Sequence, residues 1–328
     1  MDKNQAIEFF SSLAVFGIRP GLERTAKALD MLGLPRAGRF IHIAGTNGKG
    51  SAAAFASSIL TEAGLLTGTY TSPYVFSINE RFGIGRGYIS DADLGSIAEE
   101  VKKTNGLLKA ESGESLTEFE AKTVAAFIYF ARKKTDWNVI ECGMGGGSDA
   151  TNVITPRCSV IVSVGLDHTE WLGSTVREIA REKAGIIKPG VPCVTGAGGE
   201  ALEEIDRKAE KAGSRVYALG RDFFVRGSGP FRLESDIIET EFEPSLQGAF
   251  QPGNAAIAAV AAALCERLSP KDIQNGIKKA FLPGRFQRIS RRPDVYLDGA
   301  HNGPAAEALA RSLEALGNKK LILVIGML

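Results

Sequence analysis

The run Ile41-His42-Ile43-Ala44-Gly45-Thr46-Asn47-Gly48-Lys49-Gly50-Ser51 constrains this chain more than any other stretch. Phe40 to Ile43 predicts a strand, and the small residues from Ser51 to Ala63 predict a helix. Between them lies a glycine-rich turn. A strand, turn and helix in that order aim several backbone N–H groups and the positive end of a helix dipole at one point, which suits a phosphate. Lys49 adds a mobile cation, and Ser51 adds a hydroxyl that can reach a metal ion. The spacing departs from G-x-x-x-x-G-K-[ST]: Gly45 sits too close to Gly48-Lys49, and Gly50 separates Lys49 from Ser51. Leu65 to Thr71 supplies a return strand, which completes a βαβ unit.

The same alternation continues along the chain. Helices are expected at 5–16 and 22–33, from Asp91 behind the cap signature of Ser90, at 118–134, 175–184, 200–212, 254–267 and 271–280. Strands are expected at 80–84, 137–142, 158–164, 191–194 and 215–219, the one at 158–164 being a continuous apolar run of the buried parallel type. This pattern predicts an α/β fold with a doubly wound, mostly parallel sheet. Residues 221–243 read as an antiparallel hairpin appended to it. A linker is expected at 282–286 and 291–293, then a fresh, Rossmann-like strand, helix and strand at 294–298, 304–316 and 320–325. The division is therefore a phosphate-loop domain over 1–289 and the beginning of a second α/β domain over 290–328, inside which the chain is expected to be cut.

Composition narrows the classes of function. Basic residues number 39 and acidic residues 38, so no electrostatic case exists for nucleic acid or an anionic membrane. The N-terminus lacks the apolar core of a signal peptide, and Ala255 to Cys265 is too short to span a bilayer. The four cysteines are widely spaced and read as free thiols of a reducing compartment. A cytoplasmic, soluble protein is expected.

Ligands of an open parallel sheet bind at the carboxyl ends of its strands. The phosphate-type loop, Thr71-Ser72, Glu141 and Asp167-His168 all fall at such ends, and their convergence argues for a nucleotide-dependent site. Ser51 or Ser72, Glu141 and His168 form an oxygen-rich set suited to Mg²⁺ beside phosphate. Singly, each has a bland reading: a cap, a surface carboxylate or a structural histidine. Lys183, near the end of the helix after His168, ordinarily complements a helix dipole. Asp298-Gly299-Ala300-His301-Asn302 ordinarily makes a turn with a helix cap.

Taken together, the motifs carry a resemblance. Gly45 to Ser51, Thr71-Ser72-Pro73, Glu141 with its glycine run, Asp149-Ala150-Thr151-Asn152, Leu166 to Gly173, Arg181 to Gly185, Pro283 to Gln287 and Asp298 to Asn302 occur in order and at fitting intervals. The chain resembles the folylpolyglutamate synthase/dihydrofolate synthase family of the Mur ligase superfamily, over about residues 17 to 328. The unusual loop spacing is that family's form.

The resemblance implies an ATP-dependent amide ligase that adds L-glutamate to dihydropteroate, to folylpolyglutamate, or to both, through an acyl phosphate. It implies ATP contacts at Thr46, Asn47, Gly48, Lys49, Gly50, Ser51, Asn254, Arg285 and Asp298. Ser72, Glu141 and His168 are expected to hold Mg²⁺, and a carbamylated Lys183 a second ion. Lys49, His168, Lys183 and His301 are the expected catalytic groups. Pterin or folate contacts are expected from Ile18, Arg19, Pro20, Tyr74, Thr117, Glu118, Phe119, Glu120, Ser148, Asp149 and Ala150. A monomer acting on small molecules is expected. The chain departs from the family's common residues at Arg19, Tyr74, Gly147-Ser148 and Gly303, and all but the last fall near the expected acceptor site. The alternatives are a ligase joining an amino acid to a UDP-muramoyl precursor, a P-loop kinase or GTPase, and a nucleotide-binding module without turnover. Two short helices before the loop leave no room for a UDP-binding domain, and no N-K-x-D guanine motif is present.

Overall fold

The computed structural model describes residues 1–314, 316–317 and 320–326. Two helices, α1 (Lys3–Ser12) and α2 (Glu23–Met31), precede the first strand, β1 (Phe40–Ala44). The chain continues through α3 (Lys49–Glu62), β2 (Thr67–Tyr70), β3 (Phe82–Ile84), β4 (Gly87–Tyr88), α4 (Asp91–Ser112), α5 (Glu118–Lys133) and β5 (Trp137–Glu141). Then come β6 (Cys158–Ile161), the single turn α6 (Thr169–Leu172), α7 (Val176–Lys183), β7 (Cys193–Thr195), α8 (Gly199–Lys211) and β8 (Val216–Ala218).

These strands form one eight-stranded sheet in the order β4-β3-β2-β5-β1-β6-β7-β8. It is parallel from β2 to β8, with β3 and β4 added antiparallel at one edge. The phosphate-loop strand β1 lies in the middle, where every residue of it is buried. Apolar side chains on both faces of a strand demand cover on both sides. Ile41, Ile43, Val139 and Val160 face a layer that includes α3, while Phe40, Tyr70 and Ile140 face α1, α4 and α5. The α/β fold with a mostly parallel sheet is the one the alternation predicts. Ser90 caps α4 as expected, its side chain accepting from the Asp93 N–H.

Three expectations need correction. Residues 221–243 form three strands, β9 (Phe223–Arg226), β10 (Phe231–Ser235) and β11 (Thr240–Phe242), in a sheet of their own. Their inward residues Phe223, Leu233 and Phe242 join the core beneath α9 (Gln251–Cys265) and α10 (Pro270–Lys279). Between the two expected linker stretches, and reaching into the second at Arg291, runs a strand, β12 (Gln287–Arg291), which pairs antiparallel with β13 (Asp294–Leu297). β13 thus opens no parallel unit among the described residues. The polar run Gln287-Arg288-Ile289-Ser290-Arg291 reads as linker because an exposed two-stranded ribbon needs no apolar face. α11 (Gly303–Glu314) follows as expected. The strand expected at 320–325 does not form: the described residues 320–326 carry no strand, and Leu321 to Ile325 lie exposed without a ladder partner. Residues 315, 318, 319, 327 and 328 lie outside the described set.

Among the described residues no helix is long and apolar enough to cross a membrane, and the four cysteines are free.

The packing of α10 on α3 is close enough to test. A Cβ placed on Gly276 would sit 2.4 Å from Ile59 Cα and 2.7 Å from Ile59 N. Glycine to alanine in an exposed helix gains about 1 kcal/mol. Here the clash is with backbone, so Gly276→Ala should instead destabilise by about 1–3 kcal/mol in chemical denaturation.

Candidate active site

Gly48 takes a left-handed conformation (φ 83°) just before α3, which turns the loop and points the helix N-terminus outward. The loop is then pinned to the segment after β6. Thr46 N–H donates to Ser163 O (2.8 Å), and Asn47 N–H donates to Ser163 Oγ (3.0 Å). Thr46 Oγ1 donates to Gly165 O and accepts from Gly165 N–H, both at 3.1 Å. Lys49 Nζ folds back over the loop's own carbonyls, reaching Gly45 O at 2.9 Å and Thr46 O at 3.2 Å. From α9, the fully buried Gln251 donates to Ser51 Oγ (3.2 Å) and accepts from Asn254 Nδ2 (3.2 Å). Asn254 Oδ1 lies 2.7 Å from where a Gly48 Cβ would be.

The sheet register supplies the next group. Ile43 of β1 stands beside Glu141 of β5, so this carboxylate ends up next to the loop. Glu141 is 2% exposed and accepts one hydrogen bond, from Ser72 N–H at 3.0 Å. A Cβ on Gly50 would lie 3.5 Å from Glu141 Oε2. Burial pushes the Glu141 carboxyl above its ordinary range, against the pull of Lys49, the Ser72 N–H, Arg285 and Arg81.

Lys183, the last residue of α7, is also 2% exposed. Its amine makes no hydrogen bond or ion pair among the described residues. Burial, reinforced by the like charge of Lys49, lowers it to about 8, although Cys142, Asp167 and Glu182 oppose this. Its position is dictated by backbone contact. A Cβ on Gly146 would fall 2.8 Å from Lys183 O, and one on Gly185 would fall 2.3 Å from Gly147 Cα. The glycine run after Glu141 is therefore the surface on which the end of α7 rests. Gly147 N–H donates to Glu182 O (2.8 Å), and Ser148 N–H and Oγ donate to Glu182 Oε1 (2.9 and 2.6 Å).

The residues expected at the acceptor site gather on the other side of this run. Arg24 donates to Glu120 Oε1 (3.0 Å) and to Arg19 O (2.9 Å), and Gly21 N–H donates to Ser148 O (3.4 Å). Segments 18–20, 117–120 and 148–150 are thereby held together. Several of the named side chains are spent inside the fold. Thr117 caps α5, Glu120 binds Arg24 and Thr117 N–H, and Glu118 pairs with Lys122. Asp149 accepts from the N–H groups of Gly143, Met144 and Thr151. Ala150 is buried, Phe119 packs on Gly143, and Ile18, Arg19, Pro20 and Tyr74 present exposed surface.

The chain after α10 reaches the same place. Asp298 accepts from Phe286 N–H and Ala300 N–H, both at 2.8 Å, and a Cβ on Gly299 would meet Arg285 Nη1 at 2.9 Å. The two histidines are less engaged. His168, left-handed at φ 47°, is exposed, with Asp167 Oδ2 3.8 Å from Nε2. His301 is exposed and its Nδ1 lies 2.9 Å from Gly299 O. The sequence motifs include Glu182 and Asn302 without the contacts they make here, and Gln251 falls outside them. Gln251 was legible in principle, since it stands three residues before Asn254 on one helix face.

Among the described residues no group of three or more His, Cys, Asp or Glu side chains is close enough to hold a metal ion. The chemistry of the donors nonetheless fits a cation: Glu141 is a buried carboxylate with a single hydrogen bond. A raised carboxyl contributes stability below its unfolded value of 4.5 and loses it as pH rises through the folded value. Glu141→Gln should thus match the parent's melting temperature in acid and equal or exceed it at pH 7. A variant less stable than the parent at pH 7 contradicts this picture of the site.

The chain matches the Mur ligase middle domain over residues 43–262. It is 39% identical to the dihydrofolate synthase/folylpolyglutamate synthase of Bacillus subtilis, covering 95% of this chain and 76% of that protein. Its fold matches a solved FPGS–AMPPCP–folate complex with TM-score 0.91 at 35% identity, over 97% of this chain and 82% of that one. It likewise matches Escherichia coli FolC in complex with DHPP and ADP, with TM-score 0.87 at 32% identity, over 96% and 75% of the two chains. A central phosphate-type loop, a buried carboxylate and a buried lysine on this sheet, with these relatives, place the chain in the folylpolyglutamate synthase/dihydrofolate synthase family of the Mur ligases.

Proposed function

We propose that this chain uses ATP to join L-glutamate to dihydropteroate, to folylpolyglutamate, or to both. A carboxylate oxygen of the acceptor attacks the γ-phosphorus of ATP, and ADP leaves. The glutamate amine then attacks the acyl carbon, so that a C–N bond forms and orthophosphate departs. Neither step needs a covalent enzyme nucleophile; both need negative charge held and neutralised in a dry site.

In this reading Thr46 to Ser51 cradle the phosphates through the backbone N–H groups at the start of α3. Lys49 turns from its loop carbonyls to the phosphate oxygens. Asn254, held by Gln251, and Arg285 and Asp298 contact the nucleotide, and His301 lines the cleft. Ser72, Glu141 and His168 would hold one Mg²⁺, and Lys183, carbamylated, a second. Bound there, the ions would neutralise charge on the transferring phosphoryl group. The acceptor ring would lie along Ile18 to Pro20, Phe119, Tyr74 and Ser148, with Thr117, Glu118, Glu120, Asp149 and Ala150 shaping that wall. Residues 1–289 would form the ATP-binding domain and 290–328 part of a second α/β domain, with the β12–β13 ribbon, which starts at Gln287, crossing that boundary.

One observation carries the reading: a buried carboxylate and a buried lysine stand near the phosphate-type loop, and among the described residues the first accepts one hydrogen bond and the second makes none. Each is costly to bury alone, and each is relieved by the ligands proposed. Given ATP, Mg²⁺, L-glutamate and dihydropteroate or a reduced folate, the protein should release phosphate in a manner dependent on both acceptor and amine. Equal release without any pterin would defeat the proposal.

A further inference from the structure

Asn302 lies outside every role assigned above, yet its amide joins three separate segments. Its Nδ2 donates to Asn47 Oδ1 (3.2 Å) and to Asp167 Oδ2 (3.1 Å). Its Oδ1 accepts from Asn47 Nδ2 (3.0 Å) and from Ala305 N–H (3.0 Å). The first partner belongs to the phosphate-type loop and the second to the segment carrying His168. The last is the start of α11. Each atom of the amide is thus used twice. The pairing with Asn47 is reciprocal, so it fixes both position and orientation of the two side chains. Pro304 seals the junction, its Cγ lying 3.3 Å from where a Gly165 Cβ would be. Gly165 itself is bonded to Thr46.

Asp298 and His301 stand immediately before this junction, on a short turn in which Asp298 accepts from Ala300 N–H; Asp298 also accepts from Phe286 N–H, ahead of β12. Their height above the loop is therefore set by Asn302. We propose that Asn302 is a positioning residue: it clasps the segment bearing Asp298 and His301 to the phosphate loop and so aligns the two halves of the nucleotide site. The inference rests on the nucleotide-site reading given above. Its chemistry is specific to an amide, because a carboxylate at 302 would face Asp167 and an aliphatic group would bond neither partner.

Asn302→Ser separates this role from simple support of α11. A serine hydroxyl still caps the helix at Ala305, but it is too short to hold both Asn47 and Asp167. The variant should keep the parent's melting temperature and bind a non-hydrolysable ATP analogue at least tenfold more weakly in calorimetry. A second test uses exchanged partners. In Asn302→Asp with Asp167→Asn, the residue at 167 becomes the donor and can still accept from His168 N–H, as Asp167 does. The double variant should bind the analogue at least tenfold more tightly than the product of the two single effects predicts. Parent-like affinity in Asn302→Ser, or single effects that simply multiply, would overturn the clasp. An unsubstituted protein that binds no ATP analogue at all would instead overturn the nucleotide-site reading, a different result.

Discussion

The structure depends on one backbone contact, the seat of Lys183 to Gly185 on the glycine run that follows β5. Two main chains approach here so closely that no Cβ fits at Gly146 or Gly185. The contact brings the end of α7 under the loop and carries the Lys183 side chain away from water. Glu182, its neighbour, turns outward and locks Ser148. A single helix end thus sets both the lysine and one wall of the acceptor side. Glycine is required on each partner because either side chain would lift the helix by an ångström or more.

That seat has an electrostatic consequence. An unpaired buried charge costs several kcal/mol, and proteins commonly escape by losing the charge or pairing it. Lys183, lowered to about 8, loses its proton far more readily than an exposed lysine, although it is still mostly charged at pH 7. Glu141 is shifted upward by the same burial, against the pull of Lys49 and the Ser72 N–H. Two groups of opposite sign, each displaced toward neutrality, both feel the charge of Lys49. Shifted groups of this kind cluster at functional sites, where burial costs stability that an apolar site would keep. His42, directly beneath, follows the same rule without the function. Burial depresses it to about 3, and its Nε2 meets Thr151 Oγ1 at 2.8 Å, inside the network that closes around Asp149.

Much of this was legible in the sequence. The phosphate-type loop, the strand ends carrying Ser72 and Glu141, and the alternation that builds the sheet follow from period, glycine spacing and β-branched runs. The loop's irregular spacing was informative, because Gly48 turns against Asn254 and Gly50 lies against Glu141 and Leu282. What stayed hidden depends on tertiary contact. Nothing local distinguishes Lys183 from a surface lysine at a helix end; only the approach of the glycine run buries it. Thr117, Glu120 and Asp149 look free in sequence but are consumed by caps and by Arg24. The ribbon of β12 and β13 escaped notice because its residues are polar, and Asn302 because its partners are 255 and 135 positions away.

Burial of Lys183 makes its amine easier to deprotonate, and so easier to carbamylate, than that of a surface lysine. Carbon-13 NMR of the protein equilibrated with ¹³C-bicarbonate tests it directly. The account predicts a carbamate carbon signal at pH 8 that is absent from Lys183→Ala. No such signal in the unsubstituted protein, with Lys183 retaining an ordinary lysine titration near 10.5, would contradict it.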